Sequence, residues 1–88
     1  MTLDAHFTAL GLTADDATRR AAAARAVAER LRALTGRPPE WAWFVPGRLE
    51  VFGKHTDYAG GQVLVAAVPR GFAVAARARD DQRVRVVD

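Results

Sequence analysis

The residues best suited to chemistry lie close together between Pro46 and Gly61, in the segment PGRLEVFGKHTDYAGG. Four glycines in this segment permit positive φ angles and let the backbone approach a ligand closely. Asp57 offers two acceptor oxygens of the kind that bind neighbouring sugar hydroxyls, and His55 can donate or accept a hydrogen bond. Arg48 is a permanently charged, planar fork suited to phosphate. Polar groups that converge on a glycine-rich loop between β-structure predict a small-molecule site.

Simpler interpretations of the same residues stay open. The glycines are compatible with ordinary turns, and Asp57 with a turn-forming role. His55 and Asp57 lie two residues apart with no third ligand in view, so they indicate a metal site only weakly and we expect none. The segment lacks the G-x-x-x-x-G-K-[ST] spacing of the common NTPase phosphate loop, and it is not a dinucleotide fingerprint.

A long helix is predicted before this segment. Residues 17–35 are rich in alanine and arginine, both strong helix formers, and Asp15 or Asp16 is the expected N-cap. Gly36 is the expected C-terminal stop, and Pro38-Pro39 forbids continuation. The apolar residues at helical spacing, which predict one buried stripe widened by alanines, are Val27, Leu31 and Leu34.

Several strands are predicted after the helix from aromatic, β-branched and alternating residues. The expected strands are 41–45, around 49–52, 63–68, 72–76 and 83–87. The expected breaks are Pro46-Gly47, Gly60-Gly61, 69–71 and 80–82. One helix followed by a run of strands predicts an α+β fold with a mixed or antiparallel sheet. We expect residues 1–88 to form a single, incomplete domain, with a helical part at 1–39 and a strand-rich part at 40–88.

Composition excludes several classes of function. The chain has no cysteine and no serine, which removes disulfides, thiolate zinc sites and serine nucleophiles. No apolar run approaches the roughly 20 residues of a membrane span, and the N-terminus lacks a signal peptide, so we expect a cytoplasmic protein without a membrane partner. The net charge is +3, but the helix arginines are dispersed along the helix among acids and lack interleaved aromatic residues. We interpret them as a solvated face and expect no nucleic-acid partner.

Taken whole, the segment at 46–61 resembles the first signature of galactokinases, members of the GHMP kinase family, which runs approximately P-G-R-x-N-x-I-G-E-H-T-D-Y-N-G-G. The positions kept in register are Pro46, Gly47, Arg48, Gly53, His55, Thr56, Asp57, Tyr58, Gly60 and Gly61. The resemblance covers residues 40–88 well and the preceding helix more loosely. It implies the N-terminal part of the GHMP N-terminal domain, and ATP-dependent phosphorylation of a sugar with magnesium.

By this resemblance, Asp57 binds sugar hydroxyls, and His55, Tyr58 and Gly60 complete the pocket wall. Arg48 is implied to lie near the anomeric oxygen, where it could stabilise charge during phosphoryl transfer. The family's phosphate loop and catalytic aspartate have no counterpart in these 88 residues. We therefore expect ATP and Mg²⁺ to bind a full-length family member, and neither binding of them nor turnover by this chain alone.

Two positions depart from the family pattern. Lys54, the only lysine, stands where the family has glutamate, and Glu50 stands where it has asparagine. In the family the glutamate helps to hold the hydroxymethyl end of galactose, so a cation there predicts a substrate with an acidic group, such as a uronic acid, or a loss of galactose specificity. Alternatively, Lys54 pairs with Glu50 or points outward.

Other functions stay open. Within the same family, a non-catalytic sugar-binding regulator and a pseudogene fragment are alternatives to an enzyme. A basic nucleic-acid-binding module is a third class, favoured by the basic charge and by the part of the GHMP fold that some ribosomal domains share. The sequence makes no prediction of oligomeric state. Without covering layers, Trp41, Trp43, Phe44 and the valine-rich strands would expose apolar surface, which predicts a poorly soluble or partly molten chain.

Overall fold

The computed structural model describes residues 2–53 and 55–88. The elements follow in the order α1 (Leu3–Ala9), α2 (Ala14–Thr35), β1 (Trp41–Phe52), the short 3₁₀ helix η1 (Thr56–Ala59) and β2 (Leu64–Ala76). The two strands form one antiparallel sheet, α2 packs against it, and α1 packs against α2. The predicted α+β fold is thus confirmed, with a sheet of two strands in the described part of the chain.

Helix α2 begins at Ala14, three residues before the predicted start. Its N-cap is Thr13 rather than Asp15 or Asp16, because the Thr13 hydroxyl accepts a hydrogen bond from the Asp16 backbone N–H at 3.2 Å. Both aspartates then fall in the first turn, where negative charge favours the helix dipole. The predicted end is confirmed. Gly36 takes a left-handed φ of 72°, and its N–H donates to the Arg32 carbonyl at 2.7 Å.

Small side chains make the closest packing of α2. Ala17 and Ala21 are the buried apolar residues of the described chain, and their spacing of four places them on one helix face. Val27 and Leu31 of the predicted stripe are half-buried, but Leu34 is exposed. The prediction of one buried stripe is therefore wrong at Leu34, because the core lies around the alanines nearer the start of the helix.

Helix α1 is tied to α2 by an ion pair. The Arg25 guanidinium donates to the Asp4 carboxylate at 2.6 Å, and this hydrogen bond lowers the pKa of Asp4. The Thr2 hydroxyl caps the start of α1 by accepting from the Ala5 N–H. In the described residues, neither this helix nor α2 has the length and apolar character that crossing a bilayer requires.

Both strands run through the residues that were expected to end them. β1 is continuous across Pro46-Gly47, and β2 is continuous across residues 69–71. Pro46 pairs with Gly71 and Arg48 pairs with Ala67, so one residue of β1 opposes three of β2 at this point. The breaks predicted at these positions are wrong. Proline and glycine mark a bulge here, where a missing N–H and a missing side chain are tolerated.

Gly71 is the residue that this bulge requires. A Cβ atom at position 71 would lie 2.6 Å from the Pro46 Cα and 2.9 Å from the Val45 carbonyl carbon, so any side chain would collide with backbone. Gly47, across the same bulge, is less confined. A Cβ there would lie 3.1 Å from a methyl group of Val68, which a small movement of that side chain would relieve.

The strand predicted at 83–87 is not formed. Residues 83–88 have no regular secondary structure, and Val84 and Val86 are 91% and 87% exposed. A strand needs a neighbour for its backbone N–H and C=O groups, and neither described strand pairs with this segment. The predicted bend before it is present, and in it Arg79 donates to both carboxylate oxygens of Asp81 at 2.8 and 2.7 Å.

One face of the sheet exposes large apolar side chains. Trp43 and Val45 lie directly opposite Val74 and Phe72, so the four side chains share a face, and all are exposed. The predicted apolar exposure is confirmed for Trp41 and Trp43. It is wrong for Phe44, which is half-buried on the opposite face.

We expect Gly71→Ala to destabilise the protein by about 2–3 kcal/mol, because its methyl group meets backbone atoms that cannot rotate away. Gly47→Ala is the matched control, and we expect it to cost less than about 1 kcal/mol. Urea unfolding followed by tryptophan fluorescence measures both changes, since Trp41 and Trp43 lie in the affected strand. Equal midpoints for the two variants would contradict the close approach at Gly71.

Hydrogen bonds, chiefly from the Arg79 guanidinium and also from the Arg83 backbone N–H, lower the pKa of Asp81 from 3.8 to about 2. A lowered folded-state pKa means that this pair stabilises the bend at pH values above the unfolded pKa, and that the stabilisation is lost as the pH falls through the folded value. We expect a carboxyl ¹³C titration of Asp81 to have its midpoint near 2. Arg79→Gln should raise this midpoint towards the usual aspartate value without reaching it, because the Arg83 backbone N–H still donates to the same carboxylate at 3.2 Å. Arg77→Gln is the control and leaves the midpoint unchanged, since Arg77 pairs with Glu40. An Asp81 midpoint that does not change in Arg79→Gln would contradict the effect of Arg79 on the pKa of Asp81.

Candidate functional site

Arg48 lies in β1 immediately after the bulge. It pairs with Ala67 on β2, and its side chain is exposed. Glu50 follows two residues later, opposite Val65 in unbroken register, so Arg48 and Glu50 point to the same face of the sheet. The bulge therefore decides which face of the sheet carries the arginine.

The remaining motif residues form a compact loop between the two strands. β1 ends at Phe52, the 3₁₀ helix occupies Thr56–Ala59, and Gly60 follows it. Gly53 and Gly60 have φ angles of 94° and 79°, in the left-handed region that glycine enters without steric cost. The predicted passage from strand to loop is confirmed, and two of the motif glycines turn the chain on either side of the short helix.

His55 and Tyr58 lie against each other in this loop. Their ring centroids are 5.3 Å apart and the ring planes are inclined by 18°, which is a stacked arrangement. His55 has a φ of 62°, and it is the only non-glycine residue in the described chain with a positive φ. His55 directly precedes the 3₁₀ helix, and Tyr58 is the third residue of that helix, so the two rings meet across its first turn. The H-x-x-Y spacing was the available signal for this stack, and the sequence analysis missed it.

The strand and loop bring Arg48, His55, Tyr58 and Gly60 into one continuous unit. Asp57 belongs to the 3₁₀ helix between the two stacked residues, but its side chain lies outside the described part of the structure, as does Lys54. Within the described residues, no three His, Asp or Glu side chains gather as a metal ion requires. The roles assigned to these residues, including the alternative pairing of Lys54 with Glu50, stay predictions.

A cleft of about 390 Å³ lies apart from this loop, between the α1–α2 connection and the bulge. Its lining includes Thr13, Asp16, Arg20, Pro46, Val68 and Pro69. The Arg20 guanidinium carbon lies 3.9 Å from the ring centroid of Phe44 and 5.9 Å from that of Phe7. The prediction that Arg20 belongs to a solvated face is wrong, because cation–π attraction to two rings holds it half-buried.

Comparison with known proteins identifies the motif. A family model described as the galactokinase galactose-binding signature matches residues 29–78, which is more than half of the chain. The chain belongs to the galactokinase family. The match contains the whole strand–loop unit, so the resemblance stated from the sequence is confirmed. No solved structure matches the chain.

Several bacterial galactokinases are similar to this family member. The galactokinase of Streptomyces coelicolor is 43% identical over 65 residues, which are 74% of this chain and 17% of that protein. The Enterococcus faecalis galactokinase is 50% identical over 44 residues, 50% of this chain and 11% of that protein. For the Streptococcus mutans galactokinase the identity is 48% over 50 residues, 57% of this chain and 13% of that protein. The chain thus spans less than a fifth of the length of the curated relatives it matches.

Proposed function

We propose that this chain forms the sugar-binding segment of an ATP-dependent sugar 1-kinase that works in the cytoplasm. The observation that carries the proposal is the match of the galactose-binding signature to residues 29–78, with the loop of Gly53 to Gly60 inside it. Phosphoryl transfer depends mainly on positioning the acceptor hydroxyl and on neutralising charge. In this proposal the segment positions the sugar and supplies one of the neutralising charges.

Asp57 is the proposed anchor for the sugar. A carboxylate has two acceptor oxygens, and adjacent hydroxyls of a pyranose present two donors side by side. Its backbone belongs to a short helix that is bounded by the left-handed residues His55 and Gly60. A tight turn of this kind fixes the Cα positions of the anchor and its neighbours better than an extended loop, which supports selective binding.

Arg48 is the proposed stabiliser of charge at the anomeric oxygen. The guanidinium is charged at every physiological pH, and its fork matches the geometry of phosphoryl oxygens. Because Arg48 stands on a paired strand, its backbone is held and the exposed side chain is free to reach the reacting group. A fixed positive charge in that place lowers the barrier by stabilising the charge that spreads over the transferring group.

ATP and Mg²⁺ belong to the proposed reaction, but we assign no residue of this segment to them. The described residues contain no cluster of potential metal ligands, and the sequence contains no phosphate loop of the family type. We propose that other parts of the kinase hold the nucleotide and the metal ion. The contribution of this segment is then sugar binding by the loop and charge stabilisation by Arg48.

We expect Asp57→Asn to weaken galactose binding about 10- to 100-fold, since one charge-assisted hydrogen bond is lost and an acceptor becomes a donor. Calorimetric titration of the complete polypeptide with galactose measures this change. Asp80→Asn, in the exposed bend outside the motif, is the matched control and leaves the affinity unchanged. If Asp57→Asn binds galactose as tightly as the unchanged protein, the proposed anchor is wrong.

We expect the acidic sugar galacturonate to be a better substrate than galactose because Lys54 replaces the family's glutamate. Lys54→Glu should reverse this preference by about tenfold or more, since an ion pair becomes a repulsion. Comparison of kcat/KM for the two sugars measures the preference, and Arg83→Glu outside the motif controls for net charge. Equal or better use of galactose by the unchanged protein would exclude the acidic substrate and leave the sugar kinase standing.

A further inference from the structure

We infer that Tyr58 does not contact the sugar through its hydroxyl but is a positioning residue for His55. Its ring holds the His55 imidazole in the orientation in which the edge of the imidazole meets the sugar. The inference deepens the proposed function and rests on it for the identity of the ligand. It replaces the expectation that both residues simply form the pocket wall.

The rings of His55 and Tyr58 are close enough to attract each other. A centroid distance of 5.3 Å lies inside the 4.5–7 Å range in which offset stacking is attractive. Tyr58 is 81% exposed, so burial contributes little to holding it in place. In the described part of the chain, the stack on His55 is the ring contact that Tyr58 makes.

The backbone of His55 has a conformation that is unusual for a residue other than glycine. His55 takes a left-handed φ of 62°, a conformation that non-glycine residues keep only where the surroundings enforce it. The 3₁₀ helix begins at the next residue, Thr56, and places Tyr58 one turn from His55. The left-handed backbone sets the direction of the His55 Cβ, and the stacked ring then selects the side-chain rotamer.

A stacked imidazole can still form hydrogen bonds through its edge. Both ring nitrogens lie in the ring plane, so stacking covers a face and leaves the edge able to form hydrogen bonds. Hydroxyl groups are recognised by that edge, while the Tyr58 ring needs only its π surface to hold the imidazole. Tyr58 therefore orients the imidazole, and His55 contacts the sugar. This arrangement requires the aromatic ring of Tyr58 but not its hydroxyl.

The chain supplies an internal control for a test of this arrangement. The one other histidine of these 88 residues is His6, which lies near Phe7 with ring centroids 5.8 Å apart and planes inclined by 56°. The two imidazoles therefore report on two separate aromatic neighbours. NMR spectra of the imidazole C–H groups resolve each of them through the ring-current shift from its neighbour.

The experiment compares the complete polypeptide with its Tyr58→Phe, Tyr58→Leu and Phe7→Leu variants. We expect the ring-current shift of His55 to persist in Tyr58→Phe, to disappear in Tyr58→Leu and to stay unchanged in Phe7→Leu. His6 should respond to Phe7→Leu alone, and its unchanged signals in both Tyr58 variants show that the helices remain folded. Galactose affinity should stay the same in Tyr58→Phe and fall about two- to tenfold in Tyr58→Leu, the range that one ring pair contributes.

Two results would overturn the inference. One is a His55 ring-current shift that survives Tyr58→Leu, which would mean that another group orients the imidazole. The other is a loss of galactose affinity in Tyr58→Phe as large as in Tyr58→Leu, which would mean that the hydroxyl binds the sugar directly. A polypeptide with the expected His55 shifts that binds neither galactose nor galacturonate would support the orientation by Tyr58 and would contradict the proposed function instead.

Discussion

The close approach of Gly71 to the backbone of Val45 and Pro46 is the constraint on which the rest of the sheet depends. It lets two strands stay paired through residues that ordinarily end strands, with Pro46 opposite Gly71 and pairing resumed at Arg48. Because pairing resumes, the part of the sheet that contains Phe44, which contacts Arg20 of α2, is continuous with the part that leads into the motif loop. The continuity of the sheet between the helices and the loop therefore depends on the close approach at Gly71.

The helical side of the molecule is held by few and small contacts. Ala17 and Ala21 are buried, and Arg20 lies against Phe44 through a cation–π contact rather than extending into solvent. The other face of the sheet keeps Trp43, Phe72 and their neighbours exposed. The buried core of the described chain is therefore small, and the motif loop connects the two strands at one end of the sheet.

Local chemistry could be predicted from the sequence, and pairing could not. The helix end at Gly36 and the turn at Gly60 depend on φ angles that glycine alone adopts freely, so residue type was sufficient. The continuity of the strands through Pro46 depends on what lies across from it, and the absence of a strand at 83–87 depends on the lack of a neighbour in the described sheet. The motif predicted the loop, but the His55–Tyr58 stack needed the 3₁₀ turn to be known.

The central claim is that the strand and loop at residues 46–61 bind the sugar. Backbone amide NMR of the complete, ¹⁵N-labelled polypeptide during titration with galactose and galacturonate tests this claim most directly. The account predicts saturable shifts at Arg48 and from His55 to Gly60, with the amides of α2 and of the bend at Asp81 unchanged. Shifts confined to the cleft around Arg20, or no shift at saturating concentrations of either sugar, would contradict it.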